Sequence, residues 1–283
     1  ISEISRKFVR AELVETPDLR PTATIGDSNM TNPLFDLTGE VAVITGAGRG
    51  IGEGMAKTLA DAGCNVVCAS RSMDQISRVA DEINASNSSG RAIAHATDVT
   101  SAKDMDALAQ RAVDEYGKLD IWVNNAGGSL VSAPLTELDE AEWDKTLATN
   151  LTSVFYGVRA ACKHLGEGSR IVNTSSLAAQ DPFPGSSHYS AAKAGVLMLT
   201  KTLAHELGPK TRVNAILPGF VPTETVKGAL NMKDEDFVGF ADTLGLPVGR
   251  LGTPQDIGAL TLYLCAPASE WLTGQCIRIA GTP

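Results

Sequence analysis

Short apolar runs rich in β-branched residues alternate along the chain with longer stretches whose apolar residues recur every third or fourth position. Val41-Ala42-Val43-Ile44-Thr45 follows a Thr38-Gly39 turn and shows no polar alternation, which suits a parallel strand covered on both faces. A helical stretch carrying Met55, Leu59 and Ala62 comes next and closes at Gly63. The same alternation predicts strands at 65–70, 92–97 and 119–123, separated by a polar helix and loop over 72–89 and a helix carrying Met105, Leu108, Ala112 and Val113. A helix after Pro134, with Leu138, Trp143 and Leu147, runs towards Asn150, and a strand over 169–176 ends in two serines. Further on come a helix opening near Ser187 (Val196, Leu199, Leu203), a strand at 213–217, a helix to Cys265 and a last strand at 276–280. Strands alternating with helices predict an α/β fold built on a parallel sheet.

Two segments stand outside this rhythm. Residues 1–32 mix charges, small polar clusters and Pro17 and Pro21 with little periodicity, and read as an N-terminal extension to a domain over 33–283. Between about 223 and 247, Val226, Leu230, Met232, Phe237, Phe240 and Leu244 suggest a helical flap with an apolar underside, which would either cover a substrate or simply pack into the core.

Composition narrows the partners. The 283 residues are 43% hydrophobic and 20% charged, and the net charge of −9 argues against nucleic acid and anionic membranes as partners. Apolar runs fall short of a membrane span, and the first residues lack a secretory pattern. Cys64, Cys68, Cys162, Cys265 and Cys276 form no Cys-x-x-Cys pair, so reduced thiols and a cytoplasmic location are expected. The four histidines lack ligand spacing, and no metal is expected.

The chemistry is concentrated at strand ends. Gly46-Ala47-Gly48-Arg49-Gly50-Ile51-Gly52 lies between a strand and a helix, where glycines let the backbone approach a pyrophosphate and the helix N-terminus offers unpaired amides. The next strand ends in Ser70-Arg71 rather than in an acidic residue. An arginine there accommodates a ribose 2′-phosphate, to which Arg49 would add a second cation, so NADP(H) is expected in preference to NAD(H). Asp98-Val99 ends the third strand and would meet an adenine edge. Asn124-Asn125-Ala126-Gly127-Gly128 ends the fourth, with small residues permitting close approach and asparagines able to tie neighbouring strand ends. Tyr189 and Lys193 stand four apart on a helix and share a face. A phenol titrates near ~10 alone. A neighbouring cation favours its ionised form by roughly 1–3 pKa units, which predicts an acid–base group working near neutral pH.

With these motifs in order, the chain resembles the short-chain dehydrogenase/reductase family over roughly residues 35–281. The resemblance rests on Thr45 to Gly52, Asp98-Val99, Asn124 to Gly127, Asn150, Ser176, Tyr189-x-x-x-Lys193 and Pro218-Gly219. It implies a single Rossmann-type doubly wound domain with a seven-stranded parallel sheet flanked by helices, assembled as a homotetramer or homodimer. It further implies that Ser176, thirteen residues before Tyr189, polarises a substrate carbonyl while Ser175 is structural. Tyr189 would protonate the oxygen as hydride passes from the nicotinamide to the carbon, with Lys193 lowering the phenol's pKa and bonding the nicotinamide ribose. Asn150 would sit at a local helix distortion, its main chain holding a water linked to the lysine. Pro218, Gly219, Val221 and Thr223 would close over the nicotinamide, Thr223 touching the carboxamide. The ending Gly281-Thr282-Pro283 departs from the family's more usual Asp-Gly-Gly, which bears on subunit contacts rather than chemistry.

Leu130, Val131, Leu177, Gln180 and Phe183 are expected to line the substrate walls with few cations nearby, favouring a moderately bulky, mostly apolar ketone or secondary alcohol. Within the family, the Asn-Ala-Gly-Gly loop and the 250–275 stretch are most similar to bacterial hydroxysteroid dehydrogenases and 3-oxoacyl-carrier-protein reductases. The leading expectation is an NADP(H)-dependent carbonyl reductase like the former. The reductase of acyl carrier protein is the alternative, for which Lys227 and Lys233 offer only a thin basic patch. A regulator that senses NADP without turnover is the alternative from another class, and it typically lacks the Tyr or Lys.

Overall fold

In a computed structural model, the described residues are 32–128, 131–224, 226–227, 233–237 and 239–282. The expected 1–32 extension, apart from Asn32, the wall residue Leu130, and Leu230 and Met232 of the flap lie outside them.

Seven parallel strands form one sheet in the order β3-β2-β1-β4-β5-β6-β7: β1 Val41–Thr45, β2 Asn65–Ser70, β3 Ala92–Ala96, β4 Leu119–Asn124, β5 Leu165–Thr174, β6 Thr211–Pro218 and β7 Cys276–Ile279. The helices between them are α1 Gly50–Asp61, α2 Met73–Ala85, α3 Ala102–Tyr116, α4 Glu140–Leu147, α5 Ser153–Ala161, α6 Ser187–Leu207 and α7 Pro254–Cys265, with a single helical turn at Phe240–Thr243. This is the doubly wound arrangement. Strand order reverses beside β1, so β1 and β4 open a crevice at their C-terminal ends, where ligands of open α/β sheets bind.

Every residue of β1 is buried because helices cover both faces of the sheet. Ala42 and Ile44 pack on one side with Leu59, Val66, Ile257 and Leu264; Val41 and Val43 pack on the other with Leu108, Trp122, Ile171 and Val196. The period of two therefore survives, but both phases are apolar. Local signals set the helix ends. Ser101 caps α3 by accepting from the Asp104 amide at 3.2 Å, and Gly117 closes it at φ 79°. Thr253 and Asp256 cap α7 reciprocally around Pro254, and Arg250 grips the same carboxylate through bonds of 2.6 and 2.8 Å. No helix among the described residues is long and apolar enough to cross a membrane.

Boundaries differ from the sequence pattern at the helix after Pro134 and at β5. The helix after Pro134 begins only at Glu140, because Asp139 accepts from the Ala141 amide at 2.7 Å and a short 3-10 turn, Leu135–Glu137, fills the gap. β5 stops at Thr174, leaving Ser175 and Ser176 beyond the strand. Among the described flap residues, Glu224, Val226 and Lys227 are helical, and a 3-10 turn, Asp234–Phe237, and the helical turn at Phe240–Thr243 follow.

Candidate active site

The crevice is assembled from the ends of β1, β4 and β5 and the start of α6. β1 delivers the glycine loop. Gly46 and Gly50 hold φ of 69° and 57°, a region that favours glycine. A Cβ at Gly52 would run into the Gly46 carbonyl and stand 2.6 Å from Asn125 Nδ2, so α1 packs against its own loop only with glycine there. Thr45 organises the neighbouring strand end: its Oγ1 accepts from the amides of Asn125 at 3.0 Å and Ala126 at 3.1 Å, while Asn125 Nδ2 donates to the Thr45 carbonyl at 2.9 Å. Thr223 closes from the far side, where a Cβ on Gly50 would meet its Cγ2 at 2.9 Å. Gly219 is held by its amide donating to the Ile279 carbonyl at 2.9 Å and leaves no room for a Cβ beside Ala280. Pro218 ends β6, and Val221, two residues past Gly219, is buried. This small-residue cradle at a helix N-terminus fits the pyrophosphate of a dinucleotide.

At the end of β2, Ser70 closes the strand and its Oγ is within 3.3 Å of where a Cβ on Gly48 would lie. Arg49 and Arg71 are both exposed beside this corner. Asp98 follows β3. Its Oδ1 accepts from the Thr100 amide and hydroxyl at 2.9 and 2.7 Å, and those bonds hold the carboxyl below the usual carboxylate range, with the charge of Arg71 acting in the same sense. Val99 is buried behind it.

At the other end, β5 and α6 bring Ser176, Tyr189 and Lys193 together. The Ser176 hydroxyl lies close enough to the Tyr189 phenol to lower its pKa, and Lys193 Nζ lies 5.6 Å from the centre of the Tyr189 ring. Lys193 Nζ donates to the Thr174 carbonyl at 2.9 Å; Ser175 Oγ donates to the Lys193 carbonyl at 2.8 Å and so braces the helix. Asn150 lies in a π-helical turn, Ala148–Thr152, between α4 and α5. Its Nδ2 donates to the carbonyls of Gly128 and Thr146, both at 3.0 Å, and its Oδ1 accepts from the Gly128 amide at 2.9 Å. Gly127 fills the space between these groups: a Cβ there would stand 2.6 Å from Asn150 Oδ1 and 3.1 Å from Lys193 Nζ.

Burial shapes the titration of the pair, against the expected direction for the phenol. It raises the pKa of Tyr189, and the nearby Ser176 hydroxyl offsets this only in part. Lys193 is 3% exposed, and burial pulls its ammonium down to about 8. Desolvation outweighs the neighbouring groups for both, and the ammonium's hydrogen bond goes to the Thr174 carbonyl while it stands over the ring face.

Below the site runs a buried polar chain. Trp122 Nε1 donates to Asn124 Oδ1 at 2.7 Å, Asn124 Nδ2 to Asn173 Oδ1 at 2.9 Å, and Asn173 Nδ2 to Thr200 Oγ1 at 2.9 Å. It ties β4, β5 and α6 beneath the catalytic candidates. Strand-end asparagines are expected to tie neighbouring strands, but their partners Thr45, Asn173 and Thr200 and the Thr174 carbonyl are missed, since nothing in the sequence marks so distant a partner. Over the substrate side, Phe220, Phe237 and Phe240 pack ring on ring with centroids 5.2–5.9 Å apart. Phe183 is 60% exposed and Gln180 is exposed, while Val131 and Leu177 are partly buried. All five cysteines are free thiols, and no cluster of metal-ligating side chains occurs among the described residues.

Comparison with known proteins adds an independent line. A family model described as enoyl-(acyl carrier protein) reductase matches residues 46–281. The 7alpha-hydroxysteroid dehydrogenase of Escherichia coli strain K12 is 35% identical over 248 residues, spanning 87% of this chain and 94% of that protein. The 3-oxoacyl-(acyl-carrier-protein) reductase FabG of Chlamydia muridarum is 36% identical over 250 residues, spanning 87% and 97%. Among solved structures, a 7 alpha-hydroxysteroid dehydrogenase complexed with NADH and 7-oxo glycochenodeoxycholic acid superposes with a TM-score of 0.81 at 35% identity, covering 89% of this chain and 97% of that one.

Proposed function

The chain belongs to the short-chain dehydrogenase/reductase family, oxidoreductases acting between alcohols and ketones, and from that premise we propose an NADP(H)-dependent reductase of moderately bulky, mostly apolar ketones. The observation that carries the reading is the joining of Ser176, Tyr189 and Lys193 beside the glycine cradle, at the C-terminal ends of the strands.

A bound nicotinamide supplies the hydride. The side chains do the rest. Ser176 Oγ and Tyr189 Oη hold the substrate oxygen, and Tyr189 gives its proton to that oxygen as the alcohol forms. A phenol with a raised pKa rests protonated at neutral pH, which suits it to be the acid in reduction. Lys193 orients the ring and takes part in the resupply of that proton, together with the main chain at the Asn150 turn. Because the phenol must be ionised to accept a proton from an alcohol, oxidation is expected to quicken as pH rises and reduction to slow.

The 2′-phosphate of NADP would lie against Ser70, Arg71 and Arg49, with Asp98 and Val99 at the adenine. Ile51, the second residue of α1, would present its amide to the pyrophosphate with those of Gly50 and Gly52. Asn125, Ala126 and Gly127 would line the nicotinamide half, capped by the 218–223 segment. The substrate reading draws on the apolar wall and on charge that is already paired: Asp181 and Arg278 hold each other through bonds of 3.2 and 2.9 Å. The same pairing weakens the acyl-carrier-protein alternative, since Lys227 is bonded to Glu224 at 2.8 Å and Lys233 lies 3.9 Å from Glu235. Free thiols favour a cytoplasmic location. Exposed Phe155 on α5 and Met198 on α6 favour a homodimer or homotetramer.

The test is turnover of NADPH and NADH with steroid, acyl-thioester and aryl ketones. Preference for NADPH that Arg71→Asp reverses supports the reading; an unchanged preference refutes the 2′-phosphate assignment. An intact protein that binds NADPH but turns over no ketone would be the sensor instead.

A further inference from the structure

A four-charge ring lies behind the glycine cradle, away from the reacting groups. Arg78 on α2 grips Glu53, in the first turn of α1, through both nitrogens: Nη2 to Oε2 at 2.8 Å and Nη1 to Oε1 at 3.2 Å. Nη1 also reaches Glu82 Oε1 at 2.7 Å, and Nη2 donates to the Gly48 carbonyl at 3.2 Å. Lys57 completes the ring, donating to Glu53 at 2.6 Å and Glu82 at 2.7 Å. Two cations thus balance two carboxylates.

Glu53 is the unusual member. A carboxylate in the first turn stabilises a helix through its dipole, but it opposes an anion arriving at the same N-terminus. Its side chain is only 20% exposed, so solvent screens it poorly. Burial raises its pKa, yet the bonds to Arg78 and Lys57 more than offset this, so the charge persists at neutral pH. Arg78 answers that charge and also holds the loop, through the carbonyl of a residue flanked by Ala47 and Arg49.

We propose that Arg78 is a positioning residue for the dinucleotide: by neutralising Glu53 and pinning the Gly48 carbonyl, it keeps the cradle receptive to the pyrophosphate that NADPH and NADH share. The proposal rests on the reading of the cradle as a nicotinamide-dinucleotide site. It differs from the role given to Arg71, which concerns the 2′-phosphate alone.

The test titrates NADPH and NADH into the full-length chain. Arg78→Gln is expected to raise Kd for both by about tenfold, equivalent to about 1.4 kcal/mol, with kcat at saturating cofactor changed less than about twofold. Arg78→Lys keeps the charge but loses the planar fork, and should fall between, at about threefold. Adding Glu53→Gln to Arg78→Gln removes the excess negative charge that Lys57 alone cannot balance against both carboxylates and should restore most of the affinity, which a merely structural role for Arg78 would not do. Unchanged Kd values, loss confined to NADPH, or a double variant no better than Arg78→Gln would each overturn the proposal. A wild-type chain that binds neither nucleotide overturns the reading of the cradle itself; normal wild-type binding with an indifferent Arg78→Gln overturns this proposal alone. Should Arg78→Gln fail to fold, Arg78→Lys takes its place: weaker binding of both nucleotides supports the proposal, and unchanged binding overturns it.

Discussion

Lys193 is a charge kept in a dry place, and its cost should be measurable. Burial moves its pKa from an ordinary 10.5 to about 8. At 1.36 kcal/mol for each tenfold in proton affinity, that gap costs the folded protein about 3 kcal/mol at neutral pH. The sign follows from proton uptake. Between pH 8 and 10.5 the unfolded chain holds more of this proton than the folded one, so stability rises with pH across that window. Lys193→Met removes the titration but leaves the Thr174 carbonyl without its donor, a penalty that does not vary with pH. The informative quantity is therefore the change in the difference between the two proteins. Urea unfolding of wild type and Lys193→Met, at pH 7 and again at pH 10, should show wild type gaining about 2.5 kcal/mol relative to the variant. A difference that stays constant within about 0.5 kcal/mol would refute the reasoning, because the lysine would then titrate alike in both states.

Two other substitutions probe the architecture around that lysine. Gly127→Ala inserts a methyl group 2.6 Å from Asn150 Oδ1, which Gly128 holds in place, and 3.1 Å from Lys193 Nζ. Displacing the ammonium should lower kcat by about a hundredfold while costing about 1–3 kcal/mol of stability; steady-state kinetics alongside thermal melting would show it. Asn173→Ala strands the amide of Asn124 in the buried chain, so chemical denaturation should report a loss of about 2 kcal/mol or more.

Much of the fold is legible in the chain because a parallel strand buried on both faces is a nearly unbroken apolar run, as in β1, and because glycine and capping residues punctuate the helices between strands. The Tyr189–Lys193 spacing shows that the two share a face, and the structure has the ammonium over the ring. It does not show which way the ammonium points. The neighbouring cation alone predicts a more acidic phenol, whereas burial dominates and the Thr174 carbonyl takes the lysine's hydrogen bond. The start of α4 is hidden for a similar local reason, since Asp139 caps a helix whose apolar period extends back to Leu138. Interactions between elements, such as Thr45 with Asn125 across strand ends or Arg78 on α2 with Gly48 in the glycine loop, join residues that no periodicity links.

The central claim is that the Tyr189 hydroxyl delivers the proton that completes carbonyl reduction. Tyr189→Phe keeps the ring and removes only that group. Measured on a ketone that wild type reduces, the variant should bind NADPH about as well as wild type, with kcat lowered by about a thousandfold. Turnover at the wild-type rate would contradict the claim.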